Sequence, residues 1–82
     1  MNAIEHLTAA RDVALAGDDL LLANVLGGIL DGLDERNEAP LYRVPRRDLP
    51  EGWDEAGLMR EYMEGWRIGF RLATGSEWRD PR

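Results

Sequence analysis

The chain has 82 residues, no cysteine and a formal net charge of −6, from 16 acidic residues against 10 basic ones. This length predicts one domain with a small core, and the lack of cysteine excludes disulfides and thiolate metal sites. An acidic surface repels nucleic acid and attracts basic protein faces, so the composition favours a protein partner.

The first predicted helix covers residues 3–16. Asn2 is suited to cap its N-terminus and Gly17 to stop it. Five apolar residues lie on roughly one side of this helix: Ala3, Ile4, Leu7, Ala14 and Leu15. The alanines allow a neighbour to come close but bury little surface.

The second predicted helix covers residues 19–36, with Asp18 or Asp19 as its N-cap. The i, i+3, i+4, i+7 pattern is formed by Leu22, Val25, Leu26, Ile29, Leu30 and Leu33. We therefore expect this stripe to face the core. Gly28 and Gly32 lie four apart beside it. Asp31, Asp34 and Glu35 lie on the far side, with Asn24.

A connector at 37–54 separates the second helix from the third. Pro40, Pro45 and Pro50 exclude a long helix there. The stretch 41–44 is compatible with a short extended strip. Because long connectors in small domains are often functional, this one is a candidate for a binding role.

The third predicted helix covers residues 55–74, with Asp54 as its cap, Gly75 as its stop and Trp53 packed on Leu58 as a hydrophobic staple. Its broad apolar arc consists of Leu58, Met59, Tyr62, Met63, Trp66, Phe70 and Ala73. The polar tail at 75–82 contains Trp78, which either folds back or remains free.

Gly65 and Gly69 repeat in the third helix the four-residue spacing of Gly28 and Gly32 in the second. Two small residues four apart form a groove into which another backbone can settle. The pairs either pack against each other within the chain or receive a partner, including a second copy. In the second case, suitable anchors beside the groove are Tyr62, Trp66 and Phe70.

Residues for catalysis or metal binding are scarce. His6 is the single histidine and Ser76 the single serine, so no nucleophilic triad, zinc site or phosphate loop can be assembled from motifs. Arginines form a patch in the connector and a stripe on the third helix: Arg43, Arg46, Arg47, Arg60, Arg67 and Arg71. Glu64 is spaced to pair with this stripe. With a net charge of −6, direct nucleic-acid binding is a minor alternative.

Two resemblances add to this interpretation. The segment EGWRIGFRLA at 64–73 resembles the G-W-x-x-G helical segment of ribosome modulation factor, a short and strongly basic protein, whereas this chain is acidic. In size, charge and missing catalytic motifs, the whole chain resembles anti-CRISPR proteins, the small acidic cysteine-free proteins of phages and mobile elements. That resemblance implies binding to a surveillance complex or nuclease and blockage of its nucleic-acid site. It implies no particular site residues.

We therefore expect a mainly α, single-domain, three-helix protein without cofactor, metal or catalytic residues. The leading hypothesis is a cytoplasmic, non-membrane protein-binding module that blocks a basic, nucleic-acid-handling host complex. Its predicted docking carboxylates are Asp31, Asp34, Glu35, Glu38, Asp48 and Glu51. Two alternatives remain: a homodimeric structural or phage component that uses the glycine grooves, and an arginine-mediated ribosome or nucleic-acid binder.

Overall fold

The computed structural model describes residues 2–42, 52 and 54–79. They form three helices, α1 (Ala3–Ala16), α2 (Leu20–Leu33) and α3 (Glu55–Thr74), and no strand occurs in these ranges. The mainly α fold is thereby confirmed, and α1 and α3 have their predicted bounds. In the predicted strip at 41–44, Leu41 and Tyr42 are not in a strand, and residues 43 and 44 lie outside the described ranges. Trp53, the proposed staple, also lies outside them.

Each helix begins at a polar side chain that satisfies one of its first free amide groups. Asn2 Oδ1 accepts from the Glu5 amide at 2.9 Å. The carboxylates of Asp19 and Asp54 likewise accept a hydrogen bond from the amide three residues downstream, at the start of α2 and of α3. Gly75 ends α3 in the left-handed conformation, with φ of 75°. The sequence signals for helix starts and stops therefore place these ends correctly.

Helix α2 ends at Leu33, three residues before the predicted end at residue 36. Asp34 leaves the helical conformation, and its carboxylate accepts hydrogen bonds from the Arg36 amide and guanidinium. The Asn37 side-chain amide donates to the Asp31 carbonyl oxygen at 3.0 Å. These local hydrogen bonds compete with further helical turns, which explains the shorter helix.

The two glycine pairs pack against each other within the chain. A Cβ atom added at Gly28 would overlap the Tyr62 carbonyl oxygen and lie 2.8 Å from the Trp66 amide nitrogen. A Cβ added at Gly65 would similarly overlap the Val25 carbonyl oxygen. Backbone therefore lies directly on backbone, and both predicted grooves are filled by the neighbouring helix of the same chain.

The order of these contacts shows that α2 and α3 run parallel. Gly28 lies against residues 62 and 66, and Gly32 lies against residues 66 and 70. Gly65 lies against residues 25 and 29, and Gly69 lies against residues 29 and 33. Each glycine of α3 thus repeats the contacts of the α2 glycine that lies 37 positions earlier. The pair thus has local pseudo-twofold symmetry. In a parallel pair, the end of α2 and the start of α3 lie at opposite ends, about 20 Å apart at 1.5 Å per residue, which accounts for a long connector.

Helix α2 lies between α1 and α3. Ala14, Leu20 and Ala23 are buried where α1 meets α2, and the nearest side-chain atom to a Cβ placed at Gly27 is Cδ of Arg11. No contact joins α1 to α3 in the described ranges. The helices therefore form a single layer, and the molecule is 16 Å thick against 37 × 37 Å in its plane.

The predicted core stripe of α2 is not its most buried side. Leu22 is 47% exposed, and the other five stripe residues are only half-buried. The buried residues of α2 are Leu20, Ala23, Gly28 and Gly32. The neighbouring helices α1 and α3 both pack on sides of α2 that carry small residues. Much of the predicted core stripe therefore faces neither helix. The periodicity identified an amphipathic helix, but the wrong side was expected to face the core.

Candidate functional site

Asp31, the first predicted docking carboxylate, is held inside the fold. Its Oδ2 accepts a 2.6 Å hydrogen bond from the Tyr62 hydroxyl. The same hydroxyl accepts a 2.9 Å bond from the Leu41 amide. Asp31 is half-buried and joins α2 to α3, while Tyr62 also holds the start of the connector. The Asp31 carboxylate thus already takes part in a hydrogen bond within the fold, and its role in docking stays a prediction.

Asp34 is the second predicted docking residue, and its charge is balanced by its neighbour. Arg36 Nη2 lies 2.8 Å from Asp34 Oδ2, and Arg36 Nε lies 3.0 Å from Oδ1. These hydrogen bonds from Arg36 lower the pKa of Asp34 to about 2. Asp34 is therefore a charged residue at physiological pH, but it presents a compensated ion pair to a partner.

Glu35 and Glu38 remain available. Both are exposed and form no ion pair or side-chain hydrogen bond within the part of the chain that the structure describes. We call them the Glu35/Glu38 pair. The last two predicted docking residues, Asp48 and Glu51, lie outside that part.

The structure adds an acidic surface that the motif analysis missed. Four exposed carboxylates lie on α1 and in its turn into α2, and we call them the acidic edge: Glu5, Asp12, Asp18 and Asp19. Residues 2–42 contain eight acidic residues and two arginines, whereas α3 contains three of each. The signal was present in the sequence, because the acidic excess is confined to the first half of the chain.

The three aromatic residues expected beside the groove belong largely to the core. Tyr62 is buried, and Trp66 is 0% exposed. Phe70 is half-buried and stacks on Trp66 with ring centroids 6.3 Å apart. Of the two alternatives for the tail, the structure shows the first: Trp78 folds back and packs edge-on against Trp66, with ring centroids 6.4 Å apart. Tyr62 and Trp66 are thus unsuited as surface anchors, because the packing of α2, α3 and the tail covers them.

A cavity of about 290 Å³ lies on the outer side of α3. Its lining residues are Arg67, Ile68, Arg71, Glu77 and Trp78. Arg67 Nη1 lies 3.6 Å from Glu64 Oε1, as the i, i+3 spacing predicts, and both side chains are largely exposed. Arg60 is also exposed on α3. The connector arginines Arg43, Arg46 and Arg47 lie outside the described ranges.

The described residues contain no group of three or more His, Asp or Glu side chains that could hold a metal ion. His6 and Ser76 are both exposed, at opposite ends of the described chain. None of the described helices is long and apolar enough to cross a bilayer.

No protein-family model, curated protein or solved structure matches the chain.

Proposed function

We propose that this protein is a non-enzymatic binding module that docks on a basic, nucleic-acid-handling protein complex and blocks it, in the manner of an anti-CRISPR inhibitor. The observation that supports this proposal is the separation of charge in the fold. The α1–α2 half carries all of the net negative charge, and its acidic edge and Glu35/Glu38 pair are exposed.

The two acidic regions have different roles in this proposal. The acidic edge contributes a long-range field that attracts a basic surface and raises the association rate. The Glu35/Glu38 pair contacts arginine or lysine side chains that otherwise bind phosphate. Carboxylate–guanidinium hydrogen bonds are stronger than neutral ones, so the pair slows dissociation if the contact excludes water.

Charge reversal separates these roles. The protein is immobilised, a partner is captured from bacterial lysate at low salt and identified, and its rate constants are then measured for two double variants. We expect Glu35→Arg with Glu38→Arg to slow association and to raise the dissociation rate at least about tenfold, as for lost contact charges. The matched control, Glu5→Arg with Asp12→Arg, changes the net charge equally and should slow association alone. Equal dissociation rates for wild type and both variants would remove the Glu35/Glu38 pair from the interface.

The cavity on α3 favours a second candidate, direct binding of RNA or DNA. Arg67 and Arg71 offer guanidinium groups for phosphate, and the adjacent Trp78 offers an aromatic surface for a base. Glu77 in the same cavity and the overall charge of −6 oppose phosphate binding.

A salt series distinguishes the second candidate from the first. Fluorescence anisotropy with labelled single-stranded RNA and DNA is measured at low and physiological salt, with Arg67→Glu and Arg71→Glu variants for comparison. Binding that weakens steeply with salt and disappears in these variants supports the second candidate. Absence of binding at low salt excludes it.

A further inference from the structure

One face of the helical layer is open and apolar. Asp31, which bonds to Tyr62, lies on one side of α2. At about 100° per residue, four apolar residues lie roughly 140–180° from it around the helix axis: Leu22, Leu26, Ile29 and Leu33. On α3, Ile68 and Leu72 lie on the side opposite Trp66 and Phe70. We call this set the leucine face: Leu22, Leu26, Ile29, Leu33, Ile68 and Leu72. Three members, Leu22, Ile68 and Leu72, are among the exposed large apolar residues, and the other three are half-buried.

The opposite face of the layer is already covered by the chain itself. Leu41 is bonded to Tyr62, Tyr42 packs on Tyr62 with ring centroids 5.7 Å apart, and Trp78 packs on Trp66. In the described ranges, the segments after α2 and after α3 thus cover one side of the layer. On the leucine face, only Ile68 lies near such a segment, where it lines the α3 cavity with Glu77 and Trp78.

A second layer would complete this architecture. Stable domains bury their apolar surface between two packed layers, and a single layer of helices provides only the contacts within it. The buried apolar residues are accordingly few: Ala14, Leu20, Ala23, Leu58, Tyr62 and Trp66. Covering the leucine face would move six further apolar side chains away from water, at about 25 cal/mol per Å² of buried area.

We propose that a second copy of this chain covers the leucine face, which gives a twofold dimer with two stacked helical layers. The whole side of the layer measures at most 37 × 37 Å, and a standard stable interface buries about 800 Å² per partner, so the dimer interface includes the leucine face and the polar flanks of α2 and α3 around it.

The flank of α3 is self-complementary, which favours a copy of the chain over another apolar partner. Glu64 and Arg71 lie seven residues, or about two turns, apart on the same side of α3, with Ile68 between them. A twofold axis near Ile68 that sets the two α3 helices antiparallel places each Glu64 opposite the Arg71 of the other copy. Such an isologous arrangement uses the same patch twice and gives two ion pairs.

This dimer differs from the groove-mediated dimer considered from the sequence. Both glycine grooves are filled within the chain, so they cannot receive a second copy unless α2 and α3 separate. The dimer is also separate from the proposed inhibitory surface, because the acidic edge lies on α1 and in its turn into α2, and the Glu35/Glu38 pair follows α2, whereas the proposed twofold axis lies at α3.

Solution mass tests the proposal. Light scattering and sedimentation equilibrium are recorded from micromolar to millimolar concentration. We expect a species of twice 9.3 kDa for the wild type. We expect Ile68→Glu to give a monomer with an unchanged helical circular dichroism spectrum. The matched control is Ile4→Glu, since Ile4 is 53% exposed against 47% for Ile68 but lies on α1. This variant should remain dimeric. A wild-type protein that is monomeric throughout, or a dimer that tolerates Ile68→Glu, overturns the proposal.

A charge exchange tests the orientation of the two copies. Glu64→Arg alone should weaken dimerisation about tenfold or more, because it sets like charges opposite each other. Adding Arg71→Glu restores opposite charges and should restore the dissociation constant. A double variant no tighter than the single one contradicts the antiparallel arrangement. A monomeric wild type that still binds a basic partner rejects the dimer and leaves the proposed function intact.

Discussion

At the scale of single residues, Tyr62 and Tyr42 have the same side chain in opposite hydrogen-bonding situations. The Tyr62 hydroxyl bonds to Asp31 and Leu41, and so ties α2, α3 and the connector together. The Tyr42 hydroxyl is buried and has no hydrogen-bond partner in the structure as described. A buried polar group without a partner costs free energy, whereas a bonded one contributes.

The same substitution should therefore have opposite effects at these two positions. Tyr62→Phe is expected to lower the free energy of unfolding by about 1–3 kcal/mol, since it leaves the half-buried Asp31 carboxylate without its donor. Tyr42→Phe is expected to be neutral or stabilising. Urea unfolding of both variants, followed by circular dichroism, measures the difference. Equal losses at the two positions would contradict the bonding described here.

Alkaline pH gives a second test of Tyr42. Burial, and to a lesser extent the negative charge of Glu55, raises the pKa of the Tyr42 hydroxyl. Because the folded protein disfavours the ionised form, this contribution to stability is complete below the unfolded pKa of about 10 and is lost as pH rises through the higher folded value. We expect the thermal stability of the wild type to fall as the pH rises above about 10, and that of Tyr42→Phe to fall less steeply. Superimposable profiles would show that Tyr42 is not the residue responsible.

For the predicted docking residues, local sequence patterns indicate exposure but not hydrogen bonds to distant residues. Glu35 was expected on the far side of the second helix from helical spacing, and Glu38 was chosen as an acidic residue of the connector; both are exposed. Asp31 was expected among them, but its bond to Tyr62 joins residues 31 positions apart, and no local pattern contains that information. The capping residues were correct because their hydrogen bonds extend over only three residues.

At the scale of elements, the parallel pair of α2 and α3 is the main determinant of the fold. Four-residue glycine spacing predicted close packing, and the structure confirms it within the chain. The spacing could not give the direction of the helices, because a glycine groove is equally compatible with a parallel or an antiparallel neighbour. The prediction of which side of α2 faces the core was wrong for a related reason. Backbone contact at glycines decides the packing, so the most apolar stripe is not the most buried.

Two adjacent glycines test the packing of this pair. A Cβ at Gly28 overlaps the α3 backbone, which cannot move without separating the helices, whereas a Cβ at Gly27 meets only Cδ of Arg11 at 3.9 Å. We expect Gly28→Ala to destabilise by about 2 kcal/mol or more through overpacking. Gly27→Ala should stabilise by about 0.5–1 kcal/mol through helix propensity.

Thermal midpoints provide the measurement, since 1 kcal/mol corresponds to roughly 4–8 °C in a domain of this size. Midpoints that shift in the same direction for both variants would contradict the interlocked glycines. Gly65→Ala and Gly69→Ala serve as further members of the destabilising group, because each Cβ meets the α2 backbone in the symmetry-related position.

At the scale of the whole molecule, charge and apolar surface are separated. The acidic residues are concentrated on α1, α2 and the turns beside them, the arginines of α3 lie on its outer side, and the leucine face between them is uncharged. Composition gave the acidic excess, and the order of the residues along the chain confines it to the first half. The single-layer arrangement could not be predicted from composition or periodicity, because it depends on α1 and α3 packing on opposite sides of α2.

We propose that this protein acts by covering a basic, phosphate-binding surface of another protein. The most direct measurement is the affinity of the captured partner for its own DNA or RNA, with and without this protein at a fixed salt concentration. We expect saturating wild-type protein to displace the nucleic acid, and the Glu35→Arg, Glu38→Arg double variant to leave it bound. A ternary complex in which partner, nucleic acid and this protein bind together without competition would contradict it.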